Sequence, residues 1–349
     1  MRSLKHSLAA LTAAVLVAAA AAPGAAADSI PERPEQLTFP ELTYDAPVAK
    51  NHRTTLKNGI VAYLVPDLSL PLVNVSVLLR LGPDQDPTGK EGAGDLMMSL
   101  LTTGGAGDLS AEQLEDRLAT LGADLSSGMG GGRRGMMGMG GVRTGPAESW
   151  VTLNLLAKDL DAGLDLLIDC LRAPAFQDDR LQLAKDRAVQ RKTEPTAATR
   201  GHAGREWGLQ TDRPDHWSNR WTTEASIGGL TRDDLMALHR AHVGPENFLV
   251  AVSGNFDTGA MKKALEKAFA DWPGRAERPS APAAPAAAPP AGWFAVDKDV
   301  NQARVSFGLP ALDRYDPDWY AALVMNDILG GGGFSSRLVN RIRSDEGLA

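Results

Sequence analysis

Cysteine is nearly absent. Cys170 is the only one among 349 residues, so no internal disulfide can form, and its place in the apolar helical run Leu164–Leu171 reads as a buried, inert thiol. Basic residues are outnumbered, 36 Lys and Arg against 43 Asp and Glu for a net charge of −7, which excludes nucleic acid as a natural partner because phosphate binding needs a basic surface. Long apolar runs are missing apart from Leu8 to Ala22, which is too short and too alanine-rich to span a membrane. None of Ser99, Ser253 and Ser335 has a Gly-x-Ser-x-Gly context, so a serine hydrolase has no support. The glycine-rich run at 126–145 neither ends in Gly-Lys-Ser/Thr nor opens a helix, which excludes a phosphate-binding loop.

What is present starts with an export signal. Arg2 and Lys5 precede the run Leu8–Ala22, and Pro23, Gly24 and three alanines follow it, the layout of a secretory peptide cleaved before Asp28. Residues 1–27 are expected to be removed, taking the net charge from −7 to −9 by loss of Arg2 and Lys5. No Cys follows the cleavage region, which argues against a lipid anchor. The mature protein is expected to be exported, to the periplasm, with no membrane span. The full sequence, 43% hydrophobic and 23% charged over 349 residues, suits a soluble protein of two domains.

Residues 28–51 form a polar, Pro-rich lead-in. Asn58-Gly59 between two β-type runs predicts a hairpin, and Leu72–Leu81 a longer strand. Gly92 to Gly105 predicts a buried helix, its apolar positions Leu96, Met97, Leu100 and Leu101 spaced helically before a Gly-Gly stop. One turn of that helix would present Asp95, Met98 and Ser99 to a common point. A zinc site wants three His, Cys or carboxylate ligands, and only Asp95 qualifies. Ser110 and Gln113 form a capping box for a helix ending at Leu121-Gly122.

Residues 126–145, rich in Gly and Met, read as a mobile loop, either a surface insertion or an adaptable contact surface. Then follow a strand at Trp150–Leu156, a helix at Asp161–Leu171, a turn at Pro174-Ala175-Phe176, and a charged helix from about Asp178 to Thr193. A helix over Ala197–Leu209, a Thr231-capped helix through His242, a strand at Asn247–Ser253 and a helix at Asp257–Ala270 complete a domain at 52–272. Irregular alternation with a hairpin at the start predicts α+β, not a doubly wound parallel sheet.

His239 and His242, three apart on a helix, could face one metal, but no third ligand has a clear spacing to them, and a structural role is preferred. His202 and the pair Asp215-His216 read as solvated, and Trp207, Trp217 and Trp221 as packing residues.

Residues 273–291 read as a Pro/Ala linker, after which the pattern restarts at 292–349. Val75-Ser76-Val77 leads to Asp86-Pro87, and Val305-Ser306-Phe307 leads to Asp316-Pro317, each followed by a helix ending in glycines. Asp316 and Pro317 are an N-cap and first-turn pair. The domain is therefore expected to be duplicated. The second copy is expected to be incomplete, because after a helix at Ser335–Asp345 it has none of the later elements of the first.

Taken in order, Leu56–Val61, Asp86–Gly92, Pro174–Phe176, Thr231–Leu235, Pro245–Asn247, Val252–Asp257 and Leu329–Leu338 resemble the insulinase/pitrilysin family of zinc peptidases, which includes mitochondrial processing peptidase. The resemblance implies duplicated two-layer domains, each a mostly antiparallel sheet with helices on one face. Active members carry His-x-x-Glu-His on the helix that here occupies 91–103, with a distant Glu as third ligand. At the matching positions stand Asp95, Met98 and Ser99, and the third ligand falls near Lys192, so the resemblance implies the fold without its metal or catalytic residues.

It further implies a noncatalytic subunit that pairs with a zinc-bearing homologue around extended peptides. Gly330, Gly331, Gly332 and Gly333 match a glycine-rich segment implicated in substrate handling in the noncatalytic processing-peptidase subunit, and would equally serve as a helix stop. The rival readings are an active zinc endopeptidase with substitute ligands (Asp95 with His202, His239 or His242) and a stand-alone peptide-binding or chaperone-like module.

Overall fold

The computed structural model describes residues 48–130, 147–197, 199–211, 216–272, 276–280, 292–297, 299, 303–308, 312 and 314–348, with backbone alone at 192–197, 199–202, 205 and 211. The first hairpin joins β1 (Arg53–Thr55) to β2 (Val61–Pro66), and Gly59 takes φ +88° in its turn, a conformation glycine adopts without steric cost. β3 (Leu72–Leu79) is followed by helices α1 (Ala93–Leu101) and α2 (Ala111–Leu121), then β4 (Asp124–Met129) and β5 (Ser149–Leu156). Helices α3 (Leu160–Arg172), α4 (Asp178–Ala197), α5 (Thr199–Thr211) and α6 (Arg232–His242) lead to β6 (Phe248–Gly254) and α7 (Thr258–Ala268).

The strands form one six-stranded sheet in the order β1-β2-β6-β3-β5-β4. Only β2 and β6 pair in parallel, and the other four pairings are antiparallel, which fits the α+β expectation. Period-two patterning separates the faces. Val73, Val75, Val77 and Leu79 of β3, with Val151, Leu153 and Leu155 of β5, are buried with Leu96, Met97, Leu100 and Leu101 of α1 and Leu164, Leu167 and Leu171 of α3 in one core. The opposite face carries a polar ladder, with Asn74 Nδ2 donating to Asn154 Oδ1 at 2.6 Å and Ser76 Oγ 3.3 Å from Thr152 Oγ1.

Local signals hold where the physics is local. Ser110 accepts from Gln113 N while Gln113 caps the Ser110 N–H, Gly122 closes α2 in the left-handed region, and Thr231 and Asp234 form the box that starts α6. Cys170 is fully buried and unpaired, and burial pushes its thiol up to about 12.

Four expectations need correction. The stretch from Ser126 is not loop at its beginning, because β4 runs through Met129 along the edge of β5; its remainder, 131–146, lies outside the described residues. Asp316 does not cap the late helix. Helix α8 (Trp319–Asn326) starts two residues later with Asp318 at the N-cap position, while the Asp316 carboxylate accepts from Asp318 N within the preceding turn. Val305 and Phe307 lie outside any strand, 79% and 75% exposed, since an extended segment becomes a strand only with a paired neighbour. His216 is buried rather than solvated, its Nδ1 2.7 Å from Ser218 Oγ. His202, by side chain, and Asp215 lie outside the described residues.

Candidate functional site

The site is built on α1 (Ala93–Leu101), which is held at both ends. At its start Gly92 adopts φ +99°, and the helix lacks a side-chain cap of its own. The cap comes from Asp86, six residues upstream: its Oδ2 accepts from Gly92 N at 2.7 Å and its Oδ1 from Gly94 N at 2.8 Å. A buried carboxylate can satisfy two of the orphan N–H groups of a helix start in this way. Burial nevertheless holds the Asp86 carboxyl above the usual carboxylate range, against the pull of those two N–H groups.

Arg220 fastens the same loop, Nη2 donating to Pro83 O and Asp86 O, both at 2.9 Å. Lys90 pairs with Asp234 at the start of α6, and Ser226 Oγ donates to Glu91 O. At the far end, Gly104 and Gly105 carbonyls accept from Gln177 N and Ala175 N, seating the turn in which buried Phe176 takes φ +46°.

The three positions expected to face a common point separate by depth. Met98 is 0% exposed inside the core, and its carbonyl accepts from Ser127 Oγ of β4. Asp95 and Ser99 are exposed on the outer face of the helix. The Met98 side chain is therefore sealed beneath the open face, which a helical wheel with no knowledge of β4 could not show.

Facing Asp95 is a residue the sequence reading missed. Arg191 of α4 places Nη2 3.9 Å from Asp95 Oδ2. Lys192 follows it on the same helix, with its side chain outside the described residues. The signal available was helical register, since Ala188 and Arg191 are three apart and share a face. The added length of the Gly/Met segment blurred that alignment.

This pair lines a cavity of about 240 Å³ together with Leu96, Met129, Ala188 and Ile227. Met129, the last residue of β4, packs so closely on α1 that a Cβ on Gly94 would fall 2.1 Å from its terminal methyl.

These residues do not fit zinc. One exposed carboxylate, a buried thioether, a hydroxyl and a guanidinium offer neither three ligands of the right type nor a general base. The His239 and His242 pair does not remedy this. Both are buried, and His239 Nε2 bonds Leu171 O at 2.9 Å. Among the described residues no three His, Cys, Asp or Glu side chains gather as a ligand set.

The four late glycines, expected to act together as a helix stop or a peptide contact, divide in two. Gly330 and Gly331 do not stop the helix, because α8 continues past Asn326 as a wide, π-type turn at Asp327–Gly331. The stop comes one residue later, where Gly332 N donates back to Asp327 O at 2.8 Å and Gly333 turns into the left-handed region at φ +61°. A Cβ on Gly331 would lie 3.0 Å from Asn326 Nδ2, and one on Gly332 2.8 Å from Asp327 O, so both are confined by the turn itself. Gly330, Gly331 and Gly333 are nonetheless exposed.

A family model described as the peptidase M16 inactive domain matches residues 229–349. An uncharacterized zinc protease of Streptomyces coelicolor is 29% identical over 209 residues, 56% of this chain and 44% of that protein. Another, of Mycobacterium tuberculosis, is 31% identical over 126 residues, 36% of this chain and 28% of that protein. The chain thus spans less than half the length of these curated relatives.

Among solved structures, a peptidase M16 inactive domain from Pseudomonas fluorescens superposes with a TM-score of 0.67 at 20% identity, covering 84% of this chain and 67% of that one. Pitrilysin does so at 0.54 and 16% identity, over 68% and 25%. These two show the fold. With the motif series in the sequence, the family match over residues 229–349 makes the chain similar to the insulinase-like M16 peptidases, while its own sequence carries no His-x-x-Glu-His.

Proposed function

We propose that this chain is a noncatalytic subunit, exported to the periplasm, that pairs with a zinc-bearing homologue and helps to bind extended peptides for processing. The observation that carries the reading is the state of α1 (Ala93–Leu101). Its caps, buried face and glycine stop are intact, yet Met98 is buried where a general base would stand and Arg191 brings a positive charge to Asp95. A scaffold kept in detail around absent chemistry is what a structural partner of an active enzyme requires.

Peptide binding is supported by β4 (Asp124–Met129), whose outer edge has no strand partner among the described residues. Such an edge can take an added strand through main-chain hydrogen bonds. The exposed turn with Gly330, Gly331, Gly332 and Gly333 would supply a second contact with peptide or partner.

The test is co-expression with a homologue that carries His-x-x-Glu-His from the same gene neighbourhood. Co-elution as a complex, with chelator-sensitive peptide hydrolysis greater than that of the homologue alone, supports the reading. Purification of this chain alone, with stoichiometric zinc and its own hydrolysis, would overturn it in favour of the active endopeptidase.

A further inference from the structure

The cavity beside α1 (Ala93–Leu101) joins two features that suit one end of a peptide. Its lining is mostly apolar, with Leu96, Met129, Ala188 and Ile227 beside Thr222, and about 240 Å³ admits a single side chain. The same lining carries one carboxylate and one guanidinium, with Asp95 and Arg191 side chains 60% and 65% exposed. At 3.9 Å and that exposure, their mutual attraction is weak, and each remains open to a better partner.

We propose, building on the peptide-binding reading above, that this site takes the carboxyl terminus of a peptide ending in an apolar residue. The terminal carboxylate sits on the Arg191 guanidinium, the last amide N–H donates to the Asp95 carboxylate, and the terminal side chain fills the cavity. Arginine presents a planar fork of donors that matches a carboxylate in bidentate geometry. An apolar side chain entering the cavity leaves water for a largely apolar wall. The main chain in the middle of a peptide offers no carboxylate to Arg191, an internal Asp or Glu would bring its carboxylate without an apolar side chain for the cavity, and a cationic ligand would meet the guanidinium. Of the simple peptide chemistries, a free acid end with an apolar residue matches all three parts of the site.

The test uses the full chain and fluorescence anisotropy with N-terminally labelled octapeptides: one ending in Leu with a free carboxylate, the same peptide as its amide, and one ending in Asp. Amidation is expected to weaken binding at least about tenfold, the change one charge-assisted hydrogen bond produces, and a terminal Asp to weaken it as well. Arg191→Gln should erase the preference for acid over amide.

Asp95→Asn keeps an oxygen for the amide N–H and frees Arg191, so it should not weaken binding of the acid. A purely structural role for the pair would make both variants weaken together, with matching losses in urea midpoint. Equal binding of acid and amide by the wild-type chain, or a preference that survives Arg191→Gln, overturns the proposal while leaving peptide binding by this chain standing. Failure to bind any of the peptides overturns both.

Discussion

The terminal methyl of Met129 occupies the space that a side chain on Gly94 would need, 2.1 Å from the ideal Cβ position. β4 (Asp124–Met129) and α1 (Ala93–Leu101) thereby touch through a glycine, and the cavity takes its wall from that contact. Gly94→Ala gains helix propensity of about 1 kcal/mol, and the atom it meets is the free end of the Met129 side chain, which borders the cavity and can turn aside. A change in urea-unfolding stability of no more than about 1 kcal/mol is expected. In a Met129→Ala background the added methyl meets no thioether, and Gly94→Ala should be at least as favourable there as in the wild-type chain.

Asp86 is the cap that α1 lacks in its own sequence. Asp86→Ala leaves the buried Gly92 and Gly94 N–H groups without their acceptor and should cost about 2–4 kcal/mol; Asp86→Asn keeps one acceptor oxygen and should cost less. The pH behaviour has a definite sign. Burial raises the folded pKa of this carboxyl above its ordinary 3.8, so its contribution to stability is greatest when protonated and falls as pH rises from 3.8 through the raised value. That component should vanish from the stability profile of Asp86→Asn.

Two groups pull the other way in acid. Glu112, bonded by Arg180 at 2.7 Å, is lowered from 4.5 to about 2. Its contribution is present above pH 4.5 and is lost as pH falls towards about 2. His239 is held below its ordinary 6.5, first by burial. The folded state disfavours its protonation, and stability drains away as pH falls below 6.5. Thermal unfolding followed from pH 7 to 3 should show a flatter acid limb in Glu112→Gln. In His239→Gln, which can still donate to Leu171 O, the loss should begin at lower pH.

Cys170 should resist alkylation by iodoacetamide at pH 8 in the folded protein and react at an ordinary rate in urea, because its thiol is both buried and pushed up to about 12 and the thiolate is the reactive form. Rapid labelling of the native chain, counted by mass spectrometry, would contradict its structural role.

Much of the fold was legible because its signals are local. Asn58-Gly59, the Ser110 and Thr231 boxes and the Val/Leu-rich run of β3 (Leu72–Leu79) each name their own conformation. What escaped depends on partners distant in sequence. Ser126 to Met129 has the composition of a loop and becomes a strand because β5 (Ser149–Leu156) offers its edge.

Met98 is fully buried, and its carbonyl accepts from Ser127 of that same strand, so its depth could not be read from α1 alone. Arg191 lies almost a hundred residues from Asp95, beyond a segment that lengthens the spacing. Asp316-Pro317 repeats Asp86-Pro87 in sequence, but Asp86 caps through a loop that reaches forward to Gly92 and Gly94, whereas Asp316 stops at Asp318. Four successive glycines mark the region of a helix end without saying which one ends it, and Gly331 stays in the turn that Gly332 closes.

The measurement that bears most directly on the account is the metal content of the purified full chain by mass spectrometry, taken together with peptide hydrolysis with and without a chelator. The account predicts far less than one zinc per chain and no chelator-sensitive hydrolysis until a homologue with His-x-x-Glu-His is added. One zinc per chain, with hydrolysis by the chain alone that a chelator abolishes, would contradict it.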